Sequence, residues 1–361
     1  SIRARSNAIH RAETRFPPEI ESAVRADNYG RLERLKPVAA YGSAACGADI
    51  LCLECVQELG GELHIVLPFG PDAFRTQSVD LRPEGRWGER FERLLENAKE
   101  VLVISQRPPP IGESIFEYNN LILTGLAKLR AQMLDTDLHG IAVWDGKPAA
   151  GEGGTGSIVS LWRDAGIPLD HVMVGDGAAP PEPVAAPTTG RLTRQSRESG
   201  DTWAFEYKIE TMLFADAVGY SRLTEDQIPL FFDSYARSIA DFNQRTPCKP
   251  VHVETAGDGM YMVFDDPETA ARYALGLSER INGEDWASKG LPHDLNMRIG
   301  LHCGPVFVGR DPITGLPLYT GNHTSRTARI EPITPPGLVY ASSAFAAVAA
   351  AHDIESLHFS Y

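Results

Sequence analysis

Apolar and polar positions follow two different rhythms along this chain. In the first half, the short β-branched runs KPVAAYG, ELHIVLPFG, EVLVISQ, HGIAVWDG and HVMVG read as strands. Between them lie ADILCLECVQEL, ERFERLLENA, FEYNNLILTGLAKLRAQML and SIVSLWRDAG, each of helical period. This alternation predicts an α/β domain over residues 1–175, a parallel sheet flanked by helices whose earliest strand is marginal or missing. From Gly175 to Asp201 the chain is rich in Pro, Ala, Gly and Ser without sustained apolar period, which predicts an exposed linker over residues 176–204. A second domain is expected over residues 205–361. There, an apolar strand carries Asp216 at its end, and the short turn Ala217-Val218-Gly219-Tyr220-Ser221 leads into a helix. VHVET and MYMVF flank Ala256-Gly257-Asp258-Gly259, the pattern of a β-hairpin with Asp258 at its tip. SAFAAVAAAHDI reads as an Ala-rich helix packed on the sheet.

Composition narrows the class of partner. A chain of 361 residues with 43% apolar and 23% charged residues can fill two folded cores. Its formal charge of −14 argues against a nucleic-acid polymer, which recruits an excess of Lys and Arg, but allows a metal-complexed nucleotide. No run approaches the length needed to cross a bilayer, and SIRARSNAIHRAETRF lacks the apolar stretch of a secretory signal, so a cytoplasmic location away from membranes is expected. The cysteines Cys46, Cys52, Cys55, Cys248 and Cys303 are odd in number and scattered, which is no disulfide framework. Cys52 and Cys55 form a C-x-x-C inside a helical stretch with no second pair or nearby His, and they read as buried helix positions.

Two glycine-rich turns in the first half stand between a strand and a helix. Gly42-Ser43-Ala44-Ala45-Cys46-Gly47-Ala48-Asp49 is one; Trp144-Asp145-Gly146 with Gly153-Gly154-Thr155 is the other. Backbone N–H groups at such places can hold an anion, and glycines there equally serve to make tight turns. Together the two turns resemble the Rossmann-like nucleotide-sensing modules of the SLOG type found in bacterial defence proteins. The resemblance implies a sensor rather than a second enzyme, since no nucleophile and base accompany the loops.

The second half carries the sharper chemistry. Asp216 at a strand end, beside the turn 217–221, and Asp258 at a hairpin tip offer hard oxygen ligands for a divalent cation next to N–H donors for phosphates. LFADAVGYS, ETAGDGMYMVF, RIGLHCGPVFVG and GNHTSRTARIE follow one another in this order, and together they resemble the successive signatures of class III adenylate and guanylate cyclases over roughly residues 205–345. The resemblance implies an α+β domain with a ferredoxin-like βαββαβ core that works as a head-to-tail homodimer. It further implies two divalent cations, Mn²⁺ or Mg²⁺, held by Asp216, Asp258 and the carbonyl of Ala217. Arg329 falls where the family places an arginine on the α-phosphate, acting on nucleotide held by the other chain.

Two positions depart from the family pattern. Ser325 stands where an asparagine orients the ribose, a shorter hydrogen-bonding arm that Asn322 or Arg326 could assist. Glu254, four residues before Asp258, matches guanylate rather than adenylate cyclases, and Leu318, three before Gly321, replaces the usual second polar contact to the base. Ionised Glu254 accepts only, which disfavours adenine and suits guanine or uracil; with Leu318 apolar, UTP moves ahead of GTP. This pattern also resembles bacterial pyrimidine cyclases of antiphage signalling of the Pycsar type, in which a uridylate cyclase makes cyclic UMP that a separate effector binds. A guanylate cyclase and a catalytically inactive nucleotide sensor are the alternatives. His302 and Cys303 are expected to pack near a β-turn, Lys249 to face solvent, and RDPITGLPLYTG to form either a dimer-embracing loop or an ordinary exposed one. The resemblance also implies a further segment bearing a lysine after LHFSY, without which phosphate binding is expected to be weaker.

Overall fold

The computed structural model describes residues 18–81, 85–109, 114–144, 154–173, 205–354 and 356–360. The linker expected over 176–204 lies outside these residues, as does 145–153, the middle of the second glycine-rich turn. The chain divides into two compact units, Ser1–Thr202 and Trp203–Tyr361.

In the first unit, strands and helices alternate as the pattern predicts. After α1 (Glu21–Leu35) come β1 (Ala39–Gly42), α2 (Ala48–Glu58), β2 (Glu62–Phe69), α3 (Trp87–Asn97) and β3 (Glu100–Ser105). Then follow α4 (Ser114–Leu134), β4 (Gly140–Trp144), α5 (Thr155–Asp164) and β5 (Leu169–Met173). Strand β2 is buried from Leu63 to Phe69, the continuous apolar run of a strand covered on both faces. All pairing is parallel, but the single sheet expected is split into β1-β2-β3 and β4-β5. The physical reason lies in the space between β1 and β4. Leu123 of α4 and Trp162 of α5 line it, and the Trp162 indole N–H is tied to Thr124 Oγ1 at 3.0 Å. The C-x-x-C lies in α2 as expected; burial holds the Cys52 thiol up at about 12 and also raises Cys55, the opposite of a reactive or metal-binding thiol.

The second unit opens with β6 (Glu206–Val218) and a helical run, α6, made of Gln227–Leu230, a wider π segment Phe231–Ala236, and Arg237–Arg245. The hairpin β7 (His252–Ala256) and β8 (Gly259–Phe264), α7 (Pro267–Asn282) and β9 (Asn296–Arg310) complete a β-α-β-β-α-β order. With β9, β6, β8 and β7 side by side, the sheet has the ferredoxin-like arrangement. Four pieces extend it: β10 (Pro317–Thr320) pairs antiparallel with β9, β11 (Val339–Ala341) pairs parallel with it, and α8 (Asn322–Thr327) and α9 (Ser343–Ala351) connect and cover.

Sequence determines these elements through local chemistry. Asp266 caps α7, its Oδ1 accepting the Thr269 N–H at 2.8 Å, and Pro267 occupies the first helical position, where no N–H is needed. Along α7, Ala270, Tyr273, Ala274, Leu277 and Ile281 recur at helical spacing and are buried; the Tyr273 ring meets Phe264 of β8 at 5.1 Å. The opposite face of the sheet carries a cluster of Met212, Tyr261, Val263 and Val306, with Phe214, Val308 and Tyr319 against it. Strand β9 runs straight through Gly304-Pro305, so the β-turn expected beside His302 is absent. The RDPITGLPLYTG segment is a tight hairpin connection, closed by Asp311 N–H to Leu316 O at 2.9 Å, with Ile313 at its exposed tip. Lys249 does not simply face solvent: its Nζ donates to the carbonyls of Asn243 and Gln244 and closes the end of α6.

Glu210 is a buried cost in this sheet. Burial, reinforced by the charge of Asp265, lifts its carboxyl to about 7 from 4.5. A carboxyl whose folded pKa is raised binds its proton more tightly in the folded state, so stability is lost as pH rises from about 4.5 to about 7. Glu210→Gln is expected to match the wild type near pH 4.5 and to exceed it by about 2–3 kcal/mol above pH 7, as read from urea unfolding across that range.

Candidate active site

The carboxyl end of β6 and the tip of the β7–β8 hairpin meet because β6 pairs with β8 from Thr211 to Ala215. Gly257, at φ +64°, and Asp258, at negative φ, make the two-residue turn, with the left-handed first position that glycine supplies readily. Asp258 is thereby held beside Asp216. Burial first, and then the charge of Asp216, raise the Asp258 carboxyl; Arg298 opposes the rise. Burial and both aspartates also push the Tyr235 phenol upward, and its hydroxyl donates to Asn296 O at 3.1 Å. A pair of crowded carboxylates of this kind is a donor set for a cation.

The cation present is a protein one. Arg298 lies opposite Asp216 in the β6–β9 register, and its Nη2 donates to Asp216 Oδ2 at 2.9 Å. Its Nε is 2.9 Å from Glu331 Oε1, an ion pair by distance although neither atom has a well-directed hydrogen bond. Burial raises the Glu331 carboxyl, and Arg298 partly offsets this. Among the described residues no group of three or more His, Cys, Asp and Glu side chains could hold a metal ion. A cation here would take Asp216 and Asp258 and complete its shell with backbone carbonyl, phosphate oxygen and water, as Mg²⁺ does at nucleotide sites. Ala217, which is buried, stands next to Asp216 with its carbonyl as the nearest such backbone group in sequence.

After β6 ends at Val218, Gly219 turns at φ +99° and Tyr220–Arg222 form one 3₁₀ turn, closed by Arg222 N–H to Gly219 O at 3.0 Å. The expected helix starts later, at Gln227. The first N–H groups of the short turn, those of Tyr220 and Ser221, have no intrahelical partner.

Helix α8 has a buried side, and the turn that follows it at 328–330 carries Arg329. His323 and Thr327 are buried, while Ser325 and Arg329 are exposed. The inward face is fixed by a chain of hydrogen bonds: His302 Nδ1 to Ser342 Oγ at 2.7 Å, His302 Nε2 to His323 Nδ1 at 2.8 Å, and Thr327 Oγ1 to His323 O at 2.8 Å. Burial depresses His302 to about 4 and His323 to about 3, so both rings are neutral and structural, which leaves His302 unsuited as a general base. Gly304 makes this packing possible, because a Cβ there would overlap the His323 ring. Gly304→Ala is expected to cost at least about 1–3 kcal/mol in urea unfolding, with α8 displaced.

At the far edge, β10 comes across to β7. The Tyr319 ring lies 4.8 Å from that of His252, and His252 Nε2 is 2.7 Å from Glu254 Oε1. Leu318 adjoins Tyr319, half-buried and paired opposite Gly309. Thus Asp216 with Asp258 form one group and Glu254 with His252 and Tyr319 another; Leu318, next to Tyr319 on β10, alternates to the other side of that strand, while Ser325 of α8 and Arg329 in the turn after it are exposed. Sequence reasoning missed Arg298, Glu331 and His252. Arg298 becomes visible only once the β6–β9 register is known; His252 could have been found from its i, i+2 relation to Glu254 on one strand.

Residues 205–356 match the family model described as the adenylate and guanylate cyclase catalytic domain. The soluble guanylate cyclase subunit beta-2 of Rattus norvegicus is 26% identical over 164 residues, which cover 42% of this chain and 23% of that protein. Among solved structures, the monomeric guanylyl cyclase domain of the RhoGC fusion protein from Blastocladiella emersonii has a TM-score of 0.36 at 19% identity, covering 41% of this chain and 86% of that one. The adenylyl cyclase CyaB from P. aeruginosa has a TM-score of 0.37 at 16% identity, covering 40% and 82%. No helix among the described residues is long and apolar enough to cross a membrane. Over residues 205–356 this chain is similar to the catalytic domain of adenylate and guanylate cyclases.

Proposed function

We propose that the second unit closes a nucleoside triphosphate into its 3′,5′-cyclic monophosphate, releasing pyrophosphate, with UTP as substrate. The observation that carries this reading is the convergence of the Asp216 and Asp258 carboxylates inside the cyclase domain. Two bound Mn²⁺ or Mg²⁺ ions would lower the pKa of the ribose 3′-hydroxyl and neutralise charge on the departing pyrophosphate. Asp216, Asp258 and the Ala217 carbonyl would hold them, and the turn after Val218 would offer the Tyr220 and Ser221 N–H groups to phosphate oxygens. The 3′-oxygen forms its bond to the α-phosphorus as the bond to the bridging oxygen breaks; the hydroxyl proton leaves to water and the electron pair departs with pyrophosphate.

Ser325 on α8 and Arg329 in the turn after it, both exposed, would serve nucleotide held by the aspartates of a second copy, Arg329 meeting charge on the α-phosphate. Glu254 would accept from the base, and apolar Leu318 would leave no second polar contact, which favours the smaller uracil. We read the product as a second messenger of antiphage defence acting through a separate effector. The first unit, residues 1–175, we read as its Rossmann-like, SLOG-like sensor. That sensor reading is supported by a cavity of about 240 Å³ between β1 and β4 and by Asn119 Oδ1, buried there without a hydrogen-bond partner.

Purified protein incubated with each of the four nucleoside triphosphates and Mn²⁺, with products separated by chromatography, tests the reading. Cyclic UMP and pyrophosphate are expected. Cyclic GMP instead would leave the reaction and overturn the substrate, in line with Glu254 and the guanylate cyclase relative. No cyclic product from any nucleotide would sink the enzyme reading in favour of a nucleotide sensor.

A further inference from the structure

A second and larger space opens at the other end of the gap between β1 and β4, where the two strands begin. It has a volume of about 570 Å³, the size of a small-molecule site, and it lies where the first sheet is split. Its wall is apolar: Leu32 of α1, Val56 of α2, Leu123 of α4 and Ile167 before β5 are each less than a tenth exposed. Thr124, a polar side chain in that wall, already accepts the Trp162 indole N–H at 3.0 Å. The mouth is cationic. Arg34, Lys36 and Arg130 stand there against Asp137, in a chain whose formal charge is −14. Arg130 of α4 is the least exposed of the three cations. Its Nη2 lies 3.6 Å from Glu62 Oε2, too far for a hydrogen bond, and no nitrogen of its guanidinium makes a directed hydrogen bond among the described residues. Its charge reaches β1, where it offsets the rise that burial gives the Tyr41 phenol.

Part of that positive charge answers the helices themselves. The carboxyl ends of α1 and α4, at Leu35 and Leu134, line the space, and each carries about half a negative charge. Together with Asp137 they offset about two of the three cations and leave roughly one positive charge over. A single anionic group meets that surplus. A triphosphate overshoots it, and a ribose and base would find few polar partners on the wall. We propose that this cavity is a binding site for an apolar monocarboxylic acid whose body has about ten carbons or more, as a space of this size admits. The carboxylate pairs with the open part of the Arg130 guanidinium, whose side chain is 37% exposed, and the chain runs inward along Leu123 and Trp162. A planar, permanently charged fork without directed partners is the donor that a carboxylate suits best, and the apolar wall supplies the burial that a short polar anion could not use. The site belongs wholly to the first unit and does not depend on the chemistry of the second.

The test uses the full chain and calorimetry with decanoate and with its uncharged counterpart, decan-1-ol. Saturable one-to-one binding of decanoate is expected, about tenfold or more tighter than that of the alcohol, and UMP should fail to displace it. Arg130→Met keeps an apolar stem and removes the charge; it should weaken decanoate by about tenfold, to the level of the alcohol, and leave the alcohol unchanged. Ala127→Phe, which fills the space from α4, should abolish binding of both. No saturable binding, an alcohol held as tightly as the acid, an unchanged decanoate affinity in Arg130→Met, or displacement by UMP would each overturn the proposal. Should Ala127→Phe fail to fold, Arg130→Met decides alone, since it changes a charge at the mouth and leaves the buried wall intact.

Discussion

Asp258→Asn is expected to reduce cyclic-nucleotide formation by at least about 10³-fold while leaving the metal-free protein as stable as the wild type or more so. The loss in rate follows if, as we propose, Asp258 is one of two carboxylates that hold the cations, since a preorganised electrostatic group of this kind is worth on the order of 10²–10³ or more in rate. The retained stability follows from the folded state. The Asp258 carboxyl is raised by burial and by Asp216, so its charged form is a burden on the fold above the ordinary carboxylate range, and the amide removes that burden. Product chromatography and thermal melting at pH 7.5 on the same preparation check both halves. A second difference should appear on adding Mn²⁺: the wild type gains melting temperature by mass action on the folded state, and the variant gains little. A variant that melts early and loses activity only in proportion to unfolding would show that Asp258 is structural.

Arg329→Ala should lose about 10²–10³-fold in rate by itself, and yet restore activity to Asp258→Asn when the two inactive proteins are mixed. The exposed position of Arg329, in the turn just after α8, is the reason to expect this. If each site takes its aspartates from one copy and its arginine from the other, a mixed dimer contains one complete site and one doubly damaged site. Random exchange of equal amounts gives mixed dimers in half of the population, so about one quarter of wild-type activity should return. Activity assays before and after co-incubation, with subunit exchange followed by size-exclusion chromatography, read the result. Mixtures no more active than their components would mean that each chain completes its own site.

Much of the second unit was legible in the sequence because its signals are local. The hairpin needs only two alternating runs around Ala256-Gly257-Asp258-Gly259; β6 runs two residues past the end expected at Asp216, because Ala217 and Val218 still pair with Met297 and Asn296 of β9. What was hidden depends on partners distant along the chain. Arg298 meets Asp216 across 82 positions, through strand register alone. The neutral His302–His323 pair arises because Gly304 leaves room that no local pattern advertises. The split of the first sheet turns on Trp162 and Leu123, side chains of two helices that read in sequence as ordinary apolar positions. The turn predicted at Gly304-Pro305 fails because β6 pairs continuously across it, from Glu210↔Gly304 to Ile209↔Pro305. Proline is tolerated there without breaking the strand.

Strand β9 has a consequence for how this domain can vary. Arg298, His302, Gly304, Val306 and Val308 occupy alternate positions of one uninterrupted strand, so the partner of Asp216, the anchor of α8 and the packing under Tyr319 are counted off along a single backbone. Deleting or inserting one residue anywhere between Arg298 and Val308 would send every later member of that row to the opposite side of the sheet. Length changes in this domain should therefore be confined to connections such as the exposed Asp311–Leu316 hairpin tip, and a library of single-residue insertions should map β9 as its least tolerant stretch.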